Sequence, residues 1–440
     1  MKKFLKKTLV LGMAALMSCG LIACGGGTED DGGVDASGNT VVKVMFHVDA
    51  KSDEGMAYKK RVDAFNAEYK EEKLKISASY IARSAGATDY EQKLVGMQNE
   101  GTLPDIITFD APNCASYAHS DLLYDITNLV PADVKSDFVT VNEYNGKLYG
   151  LPIQESSAGF FYNKQMFRDA GVDVSGYTVE NPWTFDQFKV VCQKLKNSGI
   201  ATPVDMRLAD TKDEMATYLL YPIIYTAGGE YLSEDGMTAT GYFNSAATKS
   251  GFQFIKDLVT SGYTSYSLNG TDFFDKKIAM YLSSGWTIPE LDIKYRDNFP
   301  NRDAWGLLPY PKGSASAQGA SATGSWSYGI TNNHHKDKTA TVKALLFLSS
   351  TESCRAITDA TGMIPARKSS QKSYDAGSPE SVLMQQLSLT GRSRPVTVGY
   401  PQFSNNFRQV IYGMKDKDLG TLLDEKAAAL QSELNKLGKI

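Results

Sequence analysis

Hydrophobic residues in the first part of the chain alternate between two periods. Val42, Val44 and Phe46 are two residues apart, which predicts a strand with one buried face. The segments that follow take a helical and then a strand period in turn, over 58–69, 74–80, 90–97 and 104–109. The order β-α-β-α-β predicts a parallel sheet with right-handed crossovers. Because ligands of such sheets bind beyond the carboxyl ends of the strands, residues at those ends become candidates for a site.

The pattern along the rest of the chain predicts a hairpin, a segment where the chain could cross between lobes, and a series of helices. Asn145-Gly146 is a tight-turn signal. The polar segment 154–157 lies between two predicted strands, where a chain could pass from one lobe to another. Thr184 and Gln187 fit a capping box. Helices are predicted over 185–198, 212–227, 245–261, 338–350 and 417–437, and a small-residue loop over 313–325.

The first 40 residues follow a different pattern. Four lysines precede an uncharged run over 8–23, which is short for a membrane-spanning helix and typical of a signal peptide. The run ends in Leu-Ile-Ala-Cys, which resembles a bacterial lipoprotein signal and implies lipidation of the Cys24 sulfur. The alternative is an ordinary secretory signal with a chance cysteine, and both export the protein. Gly and acidic residues then predict an unfolded tether up to residue 40.

Composition narrows the possible partners and the number of domains. The net charge is −4, and it becomes −8 without residues 1–23 because that segment holds four lysines and no acids. An acidic chain without basic blocks argues against nucleic acid as a partner. The remaining 417 residues exceed what one core usually organises, so two domains are expected. Cys114, Cys192 and Cys354 allow at most one disulfide.

Sequence signatures of catalysis are missing. The chain contains no HExxH, CxxC, GxSxG, P-loop or EF-hand pattern. We therefore expect no catalytic residues, no metal and no cofactor, and a protein that is not an enzyme. A pair of glycosidase carboxylates is defined by its separation in space, which the sequence does not encode.

Six stretches in order resemble the extracellular solute-binding proteins of ABC importers, in the carbohydrate-binding group related to maltose-binding protein. They are PDIITFDAPN (104–113), KLYGLPIQESSAGFFYNKQMF (147–167), DKKIAMYLSSGW (275–286), WGLLPYPKG (305–313), KALLFLSSTE (343–352) and GMIPARKS (362–369). The resemblance implies an α/β periplasmic-binding-protein-like fold of two lobes, with a hinge and an interlobe ligand cleft. It also implies three chain crossings, which we place near 153–157, 311–316 and 362–372.

These crossings divide the chain into its expected parts. After the signal peptide (1–23) and the lipidated tether (24–40), the N-terminal lobe comprises 41–153 plus about 314–366. The C-terminal lobe comprises 154–313 plus about 367–440. The resemblance implies a lipid-anchored monomer on the outer side of the cell membrane, or in the periplasm. Closure of its cleft would capture a neutral oligosaccharide for a membrane permease.

The chemistry of a sugar guides the choice of site residues. A pyranose has an apolar C–H face and a rim of hydroxyls, so aromatic rings cover the face while carboxylates and amides bind the rim. Strand ends, the first crossing and the resemblance supply the candidates Trp286, Trp326, Phe109, Asp110, Glu155, Gln154, Ser156, Tyr218, Tyr221, His47 and Arg367. Each has a structural alternative: the aromatic residues and His47 could fill a core, Asp110 could cap a helix, the crossing residues could be solvated, and Arg367 could form a surface salt bridge.

Three other functions remain open from the sequence. A non-sugar ligand such as a peptide, polyamine or phosphorylated polyol would require several cleft carboxylates if cationic, or several arginines if anionic. A surface-anchored glycan hydrolase would require two cleft carboxylates about 5–10 Å apart and turnover of the sugar. An adhesin or scaffold would expose a large apolar patch and lack a deep cleft.

Overall fold

The computed structural model describes residues 33–83, 89–210, 213–324, 326–333 and 337–438. Its strands are β1 Thr40–Phe46, β2 Leu74–Tyr80, β3 Ile106–Asp110, β4 Asn142–Tyr144, β5 Lys147–Pro152, β6 Gln154–Glu155, β7 Ala158–Asn163, β8 Val204–Asp205, β9 Met280–Ser284, β10 Trp305–Leu308, β11 Ser321–Ala322, β12 Trp326–Ile330, β13 Ile364–Pro365 and β14 Gly391–Arg392. The proposed signal peptide and Cys24 lie outside the described residues.

Helices surround these strands along most of the chain. They are α1 Asp53–Glu68, α2 Asp89–Glu100, α3 Cys114–His119, α4 Ala132–Ser136, α5 Lys164–Asp169, α6 Phe185–Asn197, α7 Glu214–Thr226, α8 Ala246–Thr260, α9 Thr287–Pro289, α10 Thr339–Leu348, α11 Thr351–Thr361, α12 Pro379–Leu389, α13 Tyr400–Gly413 and α14 Leu419–Leu437. A π-helical turn, Glu290–Lys294, follows α9 directly. The predicted capping box is present at the start of α6.

The first lobe is built on a six-stranded sheet in the order β2-β1-β3-β12-β5-β4. β1 is parallel to both β2 and β3, which confirms the predicted β-α-β-α-β unit. β12 enters from far along the chain and lies antiparallel to β3 and β5. Val44 and Phe46 pack on one face and Met45 packs on the other, because successive strand residues point to opposite faces.

The second lobe is built on a four-stranded sheet in the order β10-β7-β9-β8. Both faces are covered: Phe160 packs with Phe188 of α6 on one face, and Phe161 packs with Trp305 on the other. The predicted α/β fold of two lobes is thus confirmed, with one sheet and its helices in each lobe.

The chain passes between the lobes at three places. At the first, β6 pairs with β13. The second lies later than the predicted 311–316, because β11 pairs with β14 and Ala322 is buried in the core of the second lobe. At the third, the turn Lys368–Ser370 still binds Asp137 of the first lobe, so the chain leaves that lobe after Ser370 rather than at about 367.

The predicted unfolded tether extends too far. Residues 33–40 form a turn whose Val34 bridges to Thr40. The carboxylate of Asp35 accepts hydrogen bonds from the backbone of Ser37 and Asn39, and it pairs with Lys75 of β2. Glycine and acidic composition predicted disorder here, but the turn satisfies its polar groups locally and against the sheet. The prediction of an unfolded tether now applies only to residues 24–32, which lie outside the described residues.

Three further findings concern the described ranges. Cys114, Cys192 and Cys354 are buried free thiols. No helix in these ranges combines the length and the apolar character that crossing a membrane requires. Within the same ranges, no group of three or more His, Cys, Asp or Glu side chains could hold a metal ion.

Candidate functional site

A cavity of about 570 Å³ separates the two lobes at the carboxyl end of β3. Its volume is within the range of pockets that enclose small molecules. Both lobes and the crossing segments contribute to its lining, which includes Glu54, Arg83, Asp110, Gln154, Ser156, Glu214, Tyr218, Trp286, Glu290, Gly324, Trp326 and Arg394. A ligand bound here would contact both lobes at once.

The wall of the first lobe carries Trp326, the first residue of β12. The ring of His47 stacks on it with centroids 3.3 Å apart and planes 5° apart. Tyr90 contacts the tryptophan edge-on at 6.2 Å, and the guanidinium of Arg83 lies 5.0 Å from its ring centroid. The hydroxyl of Thr108 is 3.0 Å from His47 Nδ1. These contacts fix the orientation of Trp326 before any ligand arrives.

Glu54, in the first turn of α1, is the acidic group of this wall. Its Oε1 accepts a hydrogen bond from the Tyr58 hydroxyl at 2.9 Å and lies 3.7 Å from His47 Nε2. Burial raises the pKa of Glu54 to about 7, against a smaller lowering by the Tyr58 hydrogen bond. Burial, followed by the charge of Arg83, holds the pKa of His47 well below its ordinary value. His47 is therefore a neutral support.

The wall of the second lobe carries Trp286 and Tyr218. Trp286 follows β9 and is the N-cap residue of the short helix α9, and its ring centroid lies 6.0 Å from that of Tyr218 on α7. The Tyr218 hydroxyl donates to Ser156 Oγ at 2.7 Å, and Ser156 donates to the carbonyl oxygen of Gly324. Tyr218 is thus hydrogen-bonded to the first crossing segment and, through Ser156, connected to the second.

A buried ion cluster occupies the back of the cleft. Arg394 binds both carboxylate oxygens of Asp110, with Nη2–Oδ1 at 2.6 Å and Nη1–Oδ2 at 2.8 Å. Its Nη1 also donates to Glu214 Oε1 at 2.9 Å. Burial works against the charge of Arg394, but Asp110, Tyr400 and Glu214 together raise its pKa well above its ordinary value. The guanidinium is therefore held in its charged form.

Six of the eleven residues predicted from the sequence line this cavity. They are Trp286, Trp326, Asp110, Gln154, Ser156 and Tyr218. Gln154 Oε1 accepts a hydrogen bond from Thr361 at 3.3 Å, so the end of α11 closes one side of the site. Aromatic faces and hydroxyl-binding groups therefore meet in one space.

The structure places the other five predicted residues elsewhere. Phe109 is buried on the opposite side of β3 from Asp110, against Tyr117, because adjacent strand residues alternate. His47 lies beneath Trp326. The Tyr221 hydroxyl donates to the carbonyl oxygens of Thr323 at 3.2 Å and of Arg392.

Glu155 and Arg367 serve the hinge side of the first lobe. Glu155 accepts a hydrogen bond from Thr140 and lines a separate cavity of about 130 Å³. Burial raises its pKa to about 7, against the Thr140 hydrogen bond. Arg367 donates to the Ser349 carbonyl at 2.6 Å and pairs with Asp137 at 3.2 Å, so it forms a salt bridge, but a buried one and not the surface pair considered from the sequence.

The sequence analysis did not identify several charged residues of the cleft. Glu54 had a signal, since it begins a helix directly beyond the first strand end. Glu290 follows the Trp286 turn, and burial raises its pKa as well. Glu214 and Arg394 had none, because only the packing of α7 and α13 brings them to Asp110.

A family model described as bacterial extracellular solute-binding protein matches residues 60–382. Two relatives of this chain are likewise named as binding proteins. A binding protein of Brucella abortus (strain 2308) is 26% identical over 305 residues, covering 66% of this chain and 69% of the relative. The maltooligosaccharide ABC transporter solute-binding lipoprotein of Streptococcus pneumoniae (strain ATCC BAA-255 / R6) is 29% identical over 171 residues, or 38% of each chain.

Two solved structures share the fold. The cyclic alpha-maltosyl-1,6-maltose binding protein from Arthrobacter globiformis superposes with a TM-score of 0.73 at 23% identity, covering 91% of this chain and all of that one. UgpB from Mycobacterium tuberculosis in complex with glycerophosphocholine superposes with a TM-score of 0.68 at 18% identity, covering 90% and 98%. At these identities the likeness establishes the two-lobed architecture.

Proposed function

This chain belongs to the bacterial extracellular solute-binding proteins, and we propose that it captures a neutral oligosaccharide for an ABC importer. The observation that carries the proposal is the pair Trp326 and Trp286, one on each lobe, lining the same cavity. Each indole can cover the apolar face of one pyranose ring. A sugar held by both walls favours the closed arrangement of the lobes, because it contacts both of them only there.

The polar groups of the cleft suit hydroxyls better than an anionic ligand. Gln154, Ser156 and Glu54 offer amide, hydroxyl and carboxylate oxygens beside the aromatic walls. At the back of the cleft, the charge of Arg394 is already balanced by Asp110 and Glu214. An anionic ligand would have to compete with these two carboxylates for the guanidinium, at the cost of leaving them buried and unpaired.

Transport requires partners outside the cleft. Cys24 would carry the lipid that keeps the protein at the outer side of the membrane, or in the periplasm, as a monomer. The pneumococcal relative is itself named as a lipoprotein of a maltooligosaccharide transporter, which supports this arrangement. Permease subunits would recognise the closed lobes and receive the sugar.

Calorimetric titration of residues 33–440, which hold every described element, tests the proposal. The panel comprises maltose, maltotriose, a cyclic maltotetraose and glycerophosphocholine, and each ligand is recovered afterwards by chromatography. We expect one-to-one binding of an oligosaccharide with micromolar or lower Kd and intact sugar. Cleaved sugar would indicate a glycan hydrolase, whereas binding of glycerophosphocholine alone would indicate a non-sugar solute. Heat from none of them would contradict the carbohydrate proposal.

A further inference from the structure

Arg394 and Asp110 form an ion pair between the lobes. Asp110 ends β3 in the sheet of the first lobe, and Arg394 lies between β14 and α13 in the second. Their side chains are only 3% and 8% exposed, and two hydrogen bonds join them in parallel. Bidentate pairing of guanidinium and carboxylate fixes both distance and direction. The contact therefore specifies how far apart the two lobes lie at the back of the cleft.

The second lobe orients this arginine by itself. Glu214 of α7 accepts from Arg394 Nη1, and its other oxygen accepts from Ser404 of α13 at 2.5 Å. The Tyr400 hydroxyl donates to the same carboxylate. All three of these residues belong to the second lobe. The guanidinium therefore keeps its position whether or not the first lobe is near. Asp110 is then the group that forms or loses its contact with Arg394 when the lobes move.

The surroundings of Arg394 connect it to the aromatic wall and to the second crossing. Its guanidinium lies 5.3 Å from the ring centroid of Tyr218. Gly324 has φ +140°, and a Cβ there would meet Arg394 Nη2 at 3.0 Å. Arg394 and Gly324 also line both the ligand cavity and the cavity of about 130 Å³ behind it. Arg394 thus stands between these two spaces.

We propose that the Arg394–Asp110 pair is an interlobe clasp that holds the two walls of the cleft at a set separation before any ligand binds. Arg394 acts here as a positioning residue, through Asp110. Breaking one side of a buried pair leaves the other charge without compensation, so separated lobes would have to hydrate both groups. The clasp goes beyond the proposed function because it acts on the unliganded protein, whatever solute is carried.

Interlobe energy transfer on unliganded protein tests the clasp. Residues 33–440 are labelled at Lys59→Cys in the first lobe and Lys277→Cys in the second, both about 60% exposed, while the native thiols are buried. Asp110→Asn removes the partner in the first lobe, and Glu214→Gln removes the partner in the second. We expect Asp110→Asn to shift the mean transfer efficiency to a lower value, and Glu214→Gln to shift it less.

The matched control is Arg392→Lys, two residues before the clasp. Arg392 pairs with Glu230 of its own lobe, and both side chains are about half exposed, so the interlobe distance should stay unchanged. Arg394→Lys, which keeps the charge but loses the bidentate geometry, should lower the efficiency. An unchanged efficiency in Asp110→Asn would overturn the proposal, as would equal shifts in Asp110→Asn and Glu214→Gln.

A double variant separates the clasp from a general loss of stability. With the contact already lost in Arg394→Lys, adding Asp110→Asn should open the lobes no further. Additive shifts would overturn the proposal. If a variant melts below the assay temperature by circular dichroism, salt provides the second measurement, made on the wild-type protein alone: its efficiency should change little between ~0.05 and ~1 M NaCl, because a buried pair is weakly screened. A large fall with salt would contradict the clasp. No sugar is present, so these outcomes are independent of the carbohydrate proposal.

Discussion

The two aromatic walls of the cleft are built differently. Trp326 is stacked on His47 at 3.3 Å, flanked by Tyr90, and approached by Arg83. Trp286 has Tyr218 at 6.0 Å as its aromatic neighbour, and it directly precedes a helix of three residues. Close to it, Ile293 of the π-helical turn is 77% exposed at the edge of the cavity. The first wall is supported from behind, whereas the second sits on a short turn.

This difference separates two requirements of ligand capture. A ring that is already fixed loses little freedom when a sugar stacks on it, so the first wall reduces the entropic cost of binding. A ring on a short turn can adjust to sugars of different shape as the lobes approach. We infer that the first lobe determines where the sugar is received, and that the second lobe adapts to it on closure.

Replacing the supported ring should have the largest effect. Trp326→Ala removes both the stacking surface and the packing against His47, so we expect the free energy of unfolding to fall by about 3 kcal/mol. Binding of the panel sugar should become undetectable. Chemical denaturation and calorimetric titration measure the two effects. Unchanged stability would show that this wall is no better supported than the other.

Replacing the ring of the second wall should affect binding alone. For Trp286→Ala we expect the affinity for the same sugar to fall by about 30-fold, equivalent to about 2 kcal/mol, which is typical of an aromatic contact in a binding interface. Both tryptophans are partly buried, but the aromatic neighbour of Trp286, Tyr218, lies 6.0 Å away and is tilted rather than stacked. The free energy of unfolding should therefore change by less than about 1 kcal/mol. A loss of stability as large as that of Trp326→Ala would contradict the comparison.

The support beneath Trp326 can be tested without touching the ring. His47→Ala leaves a gap under the indole, so we expect about tenfold weaker binding through lost pre-organisation. His119→Ala is the control, since this histidine lies at the end of α3 in the same lobe and outside the lining of the cavity. Equal affinities of the His47→Ala variant and the wild-type protein would show that stacking on His47 does not position Trp326.

Local patterns predicted much of the first lobe. The alternating and helical periods over 42–109 lie within single elements, and β1 pairs with the next two strands along the chain, β2 and β3. Local patterns did not predict the position of β12 between β3 and β5, because β12 pairs with residues more than 170 positions away in the chain. The second crossing was misplaced for the same reason: β11 is held by β14, which no local period reveals.

Part of the cavity lining was predicted from strand ends together with the family resemblance. Trp286 and Trp326 adjoin strands of the two sheets, and the structure places both in the cavity. Phe109 and Asp110 looked equally suitable, but alternation along β3 turns only Asp110 towards the cleft. Arg394 depends on the packing of a distant helix against α7, so the sequence alone held no sign of it.

The smallest expected effect concerns pH at the supported wall. Because burial raises the pKa of Glu54 to about 7, this carboxyl is mostly neutral at pH 6 and mostly ionised at pH 8. A sugar hydroxyl donates a stronger hydrogen bond to the ionised form, so affinity should rise several-fold between these values. The unliganded protein behaves oppositely: the folded pKa lies above the unfolded value, so this group's contribution to stability is present at low pH and lost as pH rises through about 7.

Two variants assign this pH dependence to the correct carboxyl. Glu54→Gln should abolish the rise in affinity, because an amide carries no charge at either pH. Glu155 shares the raised pKa but lies in the cavity behind the hinge, so Glu155→Gln should preserve the rise. Calorimetric titration of the panel sugar at both pH values measures the difference. A rise that survives in Glu54→Gln and disappears in Glu155→Gln would place the control of affinity at the hinge instead of at the first wall.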